Sequence, residues 1–493
     1  MGQQISNLRD RTISGVRWSV ISKLFQQVLS FFTIAILARL LSPSAFGLIG
    51  MVLVVTNFVE IFKDLGTSTA IIQRKETSQE LISSIFWTNL FFGILFTLII
   101  MILARIIAIF FREPGMTLIM KIMSISFIFS GLSVVPQALL IREMSFRRLA
   151  FMENVSFLIG AGIGVGMALS GWGVWSLVIQ SLSRVLSMAI FLWLLNPIIP
   201  HVKLSLNSLK SIASYSLNLS GFNLLNYFIR NADNMLIGRY LGSTSLGFYS
   251  LAYKWMFLPI YYISGIVGNV FFSTFSKIQN DNIRFSRVYL QLCASIGLVT
   301  FPLLLGMMAL AKPLVFVALG PKWELVVPLL MILSSIGLFQ TIGTTVGSIY
   351  LAKGRTDLML KWGLLAGILY LLSFWIGLRW GVLGVALCYS LCSLILFYPS
   401  LAIPFHLIGL RFSDFGRVMI PIFVMSLSML ALIEIGLLGL GRMGRTEPWV
   451  QLAVGVLLGG SSYLIFVLRF QRDLLNEFLT LLPAGRFWSS ALR

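Results

Sequence analysis

The residues equipped for chemistry in this chain are charges set inside apolar runs. Lys121, Arg184, Arg230 and Lys254 fall in four different apolar stretches. A cation at the centre of a membrane span costs roughly 2.5 to 3.5 kcal/mol on insertion scales, so such residues belong facing a bundle interior or a wet path. Asn223, Asn226, Arg230 and Asp233 follow one another at steps of three, four and three, which puts all four on one helical face. Two hundred residues earlier, Lys23, Gln26, Ser30 and Thr33 repeat the same spacing with different chemistry. Cations and amides gathered in this way bind an anion, and the expected binding set is Lys23, Gln26, Lys121, Arg184, Asn223, Asn226, Arg230 and Lys254. Acids that can couple an ion are Glu60 and Asp64, one turn apart near a span end, and Asp233. Packing competes with these roles: amides also hydrogen-bond between helices, Arg230 and Asp233 can pair at i, i+3, and Lys121 is near enough to a span end to snorkel.

Other chemistry finds little support. Gly160, Gly162, Gly164 and Gly166 resemble a nucleotide loop only superficially, because they lie in an apolar run with no strand before them, where close helix packing explains them. His201 and His406 stand far apart, and Cys293, Cys388 and Cys392 all lie in apolar runs with the character of core residues. No catalytic residues, metal site or cofactor are expected. A net charge of +20 invites a nucleic-acid reading, but the cations come in short clusters between apolar runs, with no nucleic-acid-binding motif.

The elements that must hold these residues are membrane spans. Of the 493 residues, 58% are hydrophobic and 11% charged, against about 25% charged in a soluble domain. Apolar runs of spanning length fall near 15–38, 45–63, 82–110, 116–140, 150–169, 172–195, 212–238, 245–271, 286–310, 325–351, 357–378, 381–405, 416–440 and 449–468. That predicts an all-α polytopic membrane protein of about fourteen helices. Of the 37 Lys and Arg residues, 24 flank spans on the side of the N-terminus and nine on the other. Positive flanks stay in the cytoplasm, so both termini are expected there. The polar start from Met1 to Thr12 runs into the first span without a small-residue cleavage site, so no cleaved signal is expected.

The segment Arg39-Leu40-Leu41 through Ala45-Phe46-Gly47 returns as Arg239-Tyr240-Leu241 through Ser245-Leu246-Gly247. This repeat predicts two six-helix halves of parallel topology enclosing a central cavity. The expected organisation is 1–200 and 201–410 for the two repeats, 411–470 for two additional spans, and 471–493 for an amphipathic cytoplasmic tail. In that tail Leu474, Leu475, Phe478, Leu481 and Leu482 share one face.

Arg39-x-Leu41 with Ala45-Phe46-Gly47, Asp64-Leu65-Gly66 with Ala70-Ile71-Ile72-Gln73-Arg74, Gly247-Phe248-Tyr249-Ser250-Leu251-Ala252-Tyr253-Lys254 with Pro259, and Leu319-Gly320-Pro321-Lys322-Trp323 running to Pro328 together resemble Wzx-type polysaccharide transporters. These belong to the multidrug/oligosaccharidyl-lipid/polysaccharide exporter superfamily, and the likeness covers about residues 10 to 405. The resemblance implies a bacterial inner-membrane flippase for undecaprenyl-pyrophosphate-linked oligosaccharide repeat units, working by alternating access in exopolysaccharide or related cell-surface polysaccharide synthesis. Membrane lipids and polysaccharide polymerase machinery are the implied partners, with no nucleic acid. It transfers no site residue by motif, so the binding residues above stand on this sequence alone. Two alternatives are a multidrug or organic-cation exporter of the same superfamily, which calls for acids in its cavity, and a non-transporting assembly subunit.

Overall fold

The computed structural model describes the backbone of residues 2–64, 68, 71–72, 78–197, 206–472 and 474–476, and the side chains among these except those of 2–17, 19–21, 63–64, 206–226, 262, 264–274 and 276–277. All regular structure among the described residues is helical. The chain forms α1 (Gly2–Leu40), α2 (Pro43–Asp64), α3 (Gln79–Phe111), α4 (Met116–Ser124), α5 (Ser126–Arg142), α6 (Phe146–Leu169), α7 (Val174–Leu195) and α8 (Leu206–Lys277). It continues through α9 (Asn282–Ala309), α10 (Ala311–Ala318), α11 (Val326–Ala352), α12 (Thr356–Gly377), α13 (Gly381–Ile408), α14 (Phe412–Arg442) and α15 (Pro448–Phe470).

Eleven stretches among the described residues are long and apolar enough to cross a membrane, and one of them, Thr356–Ile408, is α12 and α13 together. Helix α8, which Gly242 interrupts with φ 81° and ψ 177°, covers the two further apolar runs of the sequence near 212–238 and 245–271. Only glycine adopts such a conformation at little cost. With α4 and α5 counted as one span interrupted at Ile125, fourteen membrane helices result, close to the boundaries that hydropathy sets.

The chain divides into two compact units, Met1–Gly247 and Phe248–Arg493. In the first, α6 lies along α7 and α1, and α3 along α5. Glycines make the close contacts possible. A Cβ on Gly93 meets the Phe127 carbonyl at 2.7 Å, and one on Gly131 meets the Asn89 carbonyl at the same distance. The first part of α8 joins this unit through Tyr227, whose hydroxyl donates to the Val54 carbonyl at 2.6 Å. Arg239 caps the C-terminal end of α3, donating to the carbonyls of Ile109 and Phe110 and lying 5.1 Å over the Phe110 ring. A cation there complements the negative end of the helix dipole.

The two copies of the repeated segment meet reciprocally. A Cβ on Gly47 collides with the Ser243 carbonyl, and a Cβ on Gly247 collides with the Pro43 carbonyl. Residues 43 and 47 therefore contact residues 247 and 243, which is what a local twofold relation between copies offset by 200 requires. The Glu113 carboxylate accepts the Ser243 N–H at 3.2 Å, next to the crossing.

The second unit has its own core. Phe285, Tyr289, Ile349, Leu401, Phe405 and Ile422 are buried together, and Tyr289 and Thr345 share a hydrogen bond of 2.8 Å between their hydroxyls. Leu474 and Leu475, the first apolar residues of the expected amphipathic tail, pack against this core. The rest of that tail's apolar face lies outside the described residues.

The reciprocal crossing predicts that Gly47→Leu destabilises the protein by about 1 to 3 kcal/mol or more, because backbone must move to admit the side chain. Gly162→Leu on α6, where a Cβ meets open space, should stay within about 0.5 kcal/mol. Thermal scans of detergent-purified variants followed by size exclusion distinguish the two. Equal melting temperatures would overturn the account of the crossing.

Candidate functional site

Within the first unit, α1, α6 and α7 gather polar residues at one place. Lys23 and Gln26 lie one turn apart on α1, and Glu153 and Phe157 one turn apart on α6. Gln26 Nε2 donates to Glu153 Oε2 at 3.5 Å. Both Arg184, from α7, and Lys23 act electrostatically on the Glu153 carboxylate. The Arg184 guanidinium lies over the Phe157 ring at 5.1 Å from its centroid. Beside this group, Asn154 Nδ2 donates to the Ser22 hydroxyl at 2.9 Å and ties α6 to α1.

Glycine brings α7 close enough for this arrangement. A Cβ on Gly160 meets the Gln180 carbonyl at 2.8 Å and Arg184 Cβ at 3.0 Å, and a Cβ on Gly164 meets Gln180 Cβ at 2.7 Å. Gly162 and Gly166, on the other face, meet nothing. Two of the four glycines therefore place Arg184 against α6, as the packing reading expects.

Lys23 and Arg184 both keep accessible surface, whereas Gln26 and Glu153 are half-buried. The cluster thus offers two accessible cations, an amide and an aromatic face, with one carboxylate held among them. Such a group can bind an anion, with the ring confining the guanidinium to one plane. A third cation lies toward the start of α6, where Arg147 stacks over Trp18 at 5.2 Å. Among the described residues no group of three or more His, Cys, Asp and Glu is arranged to hold a metal ion.

The other expected site residues are placed elsewhere or fall outside the described side chains. Lys121 borders an open cleft of about 430 Å³ with Pro114, Leu118, Val174 and Trp175. Glu60 accepts the Ser130 hydroxyl at 3.1 Å, between α2 and α5. Arg230 is exposed on α8, and Asp233 is buried there, its Oδ1 accepting the Asn234 N–H at 2.7 Å. Asn223 and Asn226 lie in α8 and Asp64 ends α2, but their side chains are outside the described set. Lys254 is exposed in the second unit.

Three participants were not among the expected site residues: Glu153, Phe157 and Arg147. Their signal was present as Glu153 and Phe157 at i, i+4 on a span that also carries the glycine face. In the second unit, Tyr249, Tyr253, Phe257 and Tyr261 likewise recur every four residues, with successive ring centroids 6.0, 5.9 and 6.3 Å apart. They form an aromatic row beside Lys254.

The profile of the family described as Polysaccharide biosynthesis protein matches residues 36–328. The lipopolysaccharide biosynthesis protein WzxC of Escherichia coli K12 is 28% identical, over 79% of this chain and 80% of its own. The teichuronic acid biosynthesis protein TuaB of Bacillus subtilis 168 is 27% identical, over 94% and 96%, and the succinoglycan biosynthesis transport protein ExoT of Rhizobium meliloti 1021 is 26% identical, over 96% and 95%. Among solved structures, the lipid II flippase MurJ in an inward closed conformation superposes with a TM-score of 0.73 at 18% identity, covering 93% of this chain and 100% of MurJ. An inward-facing multidrug resistance transporter of the MATE family gives a TM-score of 0.63 at 15% identity, covering 81% and 99%. The last two are likenesses of fold.

Accessible cations at this depth predict that cysteines at 23 and 184, in a background with Cys293, Cys388 and Cys392 replaced by alanine, react with a hydrophilic maleimide. Their rates should lie within about tenfold of a cysteine at exposed position 355, as expected for a wet path around charges in a span. Protection of both positions would mean that the cluster is dry and cannot receive a charged ligand.

Proposed function

This chain belongs to the polysaccharide biosynthesis protein family, and from that premise we propose that it is a flippase. Its substrate is an undecaprenyl-pyrophosphate-linked oligosaccharide repeat unit, carried from the cytoplasmic to the periplasmic leaflet of a bacterial inner membrane by alternating access. The product feeds exopolysaccharide or related cell-surface polysaccharide synthesis, with polymerase machinery as a downstream partner. The observation that carries the reading is the group formed by Lys23, Gln26, Arg184 and Phe157 around Glu153. A diphosphate asks for more than one cation and for hydrogen-bond donors, and here both come from helices of a chain that is otherwise apolar.

Depth supports the direction of transport. Glu153 is seven residues into α6, about 10 Å along the axis at 1.5 Å per residue. By helix alternation that end of α6 is on the same side as the N-terminus. The bias of Lys and Arg toward that side supports a cytoplasmic assignment for both termini. The cluster then sits where a lipid head group enters from the cytoplasm. Lys121, Arg230, Lys254, Asn223 and Asn226 extend the proposed path, and Glu60, Asp64 and Asp233 are the acids proposed to couple an ion. The names of the relatives support the substrate class: WzxC, TuaB and ExoT are named for lipopolysaccharide, teichuronic acid and succinoglycan biosynthesis, and ExoT as a transport protein.

Outward movement of about two negative charges down an inside-negative potential of roughly 100 mV releases about 4 to 5 kcal/mol. Net flux therefore needs no ATP site.

Translocation of a labelled undecaprenyl-pyrophosphate oligosaccharide into proteoliposomes tests the proposal. Removing two charge-assisted contacts with Lys23→Gln plus Arg184→Gln should lower the initial rate by about tenfold or more, and Lys121→Gln by less than about threefold. Undiminished flipping by the folded double variant would overturn the site. Native protein that is idle on lipid-linked sugars yet exports organic cations would overturn the substrate.

A further inference from the structure

The carboxylate among the cations is the feature that anion binding by itself does not explain. A site built only to hold a diphosphate has no use for Glu153, because a fixed negative charge beside Lys23 and Arg184 opposes the ligand. Yet Glu153 is engaged there: Gln26 donates to it, and both cations act on it. On α7, Arg184 has Glu153 as its electrostatic partner, and Phe157, one turn from Glu153, lies under its guanidinium. Glu153 therefore lies among the very groups that a ligand anion needs.

Resting on the proposed anionic substrate, we infer that Glu153 is a built-in counter-anion, with which the substrate's phosphates compete for the field of Arg184 and Lys23. Two physical demands point the same way. An empty site must not leave two cations without an anion in a low-dielectric span, since an uncompensated charge there is far more costly than a paired one. A transporter must also release what it binds, and a resident carboxylate near the cations offsets part of the loss of the substrate's charge during release. Binding becomes an exchange of anions, weaker than the bare cations would give and correspondingly easier to reverse.

The consequence is a sign that a packing role cannot produce: removing the charge of Glu153 strengthens ligand binding. Glu153→Gln keeps the shape and a side-chain oxygen that still accepts from Gln26. Calorimetry with geranylgeranyl diphosphate on the detergent-purified full chain should show Glu153→Gln binding at least about fivefold tighter than native, as removal of one unit charge from the cluster predicts. Arg184→Gln should bind more weakly, and Glu153→Asp, which restores the charge, should return toward native affinity. In Arg184→Gln/Glu153→Gln the gain should be smaller than in Glu153→Gln alone, because one of the two cations is no longer there. In proteoliposomes, the half-saturating concentration and the maximal rate of Glu153→Gln should both fall, the mark of a ligand held too well. Native or weakened affinity in a Glu153→Gln protein with native elution behaviour would overturn the inference and leave the flippase reading intact. Native protein that does not bind the diphosphate at all would overturn the substrate reading and this inference with it.

Discussion

Charge in an apolar span must be compensated, and most of what is specific about this molecule follows from that constraint. Fourteen apolar helices can assemble in many ways, because lipid tails are as apolar as the helices they surround. Charged and amide side chains reduce the choice. Gln26 and Glu153 tie α1 to α6, Arg184 ties α7 to α6 through the Phe157 ring, and Ser22 with Asn154 fixes the register of the first pair. Arg239 answers the carbonyls at the end of α3, and Glu113 answers the N–H of Ser243. Each of these groups joins helices that hydropathy alone leaves free to slide.

Glycine supplies the complementary device. Close approach of backbones is what lets short polar contacts form, and it needs small residues on the contacting face only. Helix α6 shows this within seven residues: Gly160 and Gly164 receive α7, while Gly162 and Gly166 do not touch a neighbour. The crossing of residues 43–47 with 243–247 uses the same device in reciprocal form. There Gly47 and Gly247 each face a carbonyl of the other copy, so neither copy accepts a side chain without moving the other.

The spans were legible because the hydrocarbon thickness imposes a length on each apolar run, and their ends fall close to where charge and Pro or Gly interrupt them. The offset of 200 between Arg39 and Arg239 was legible as well, and it anticipates the contact between Gly47 and Ser243. The grouping of the site was legible only in part. Lys23, Gln26 and Arg184 stood out because a polar residue is conspicuous in an apolar run. Glu153 did not stand out, because its partners come from helices whose distance along the chain carries no hint of contact. Residue spacing reports one face of one helix, and this site is made from three. The rotation that turns Arg184 toward Glu153 depends on how α7 seats on Gly160 and Gly164, a property of packing that no single periodicity encodes.

The balance of charge in the cluster bears on which substrates it can serve. An exporter of organic cations needs carboxylates that outnumber nearby cations, since a positive ligand has to find net negative potential. Among the described residues around Glu153 the count is reversed, with Lys23 and Arg184 acting on one carboxylate and Arg147 stacked over Trp18 nearer the start of α6. On the proposed reading a cation entering here meets repulsion, whereas a polyanion finds two charged donors and an amide. The aromatic neighbours do not reverse the conclusion, because the Phe157 and Trp18 faces are already taken by arginine. A shared fold with a multidrug transporter therefore says little about cargo; the sign of the charge set on α1, α6 and α7 says more, and it favours an anion.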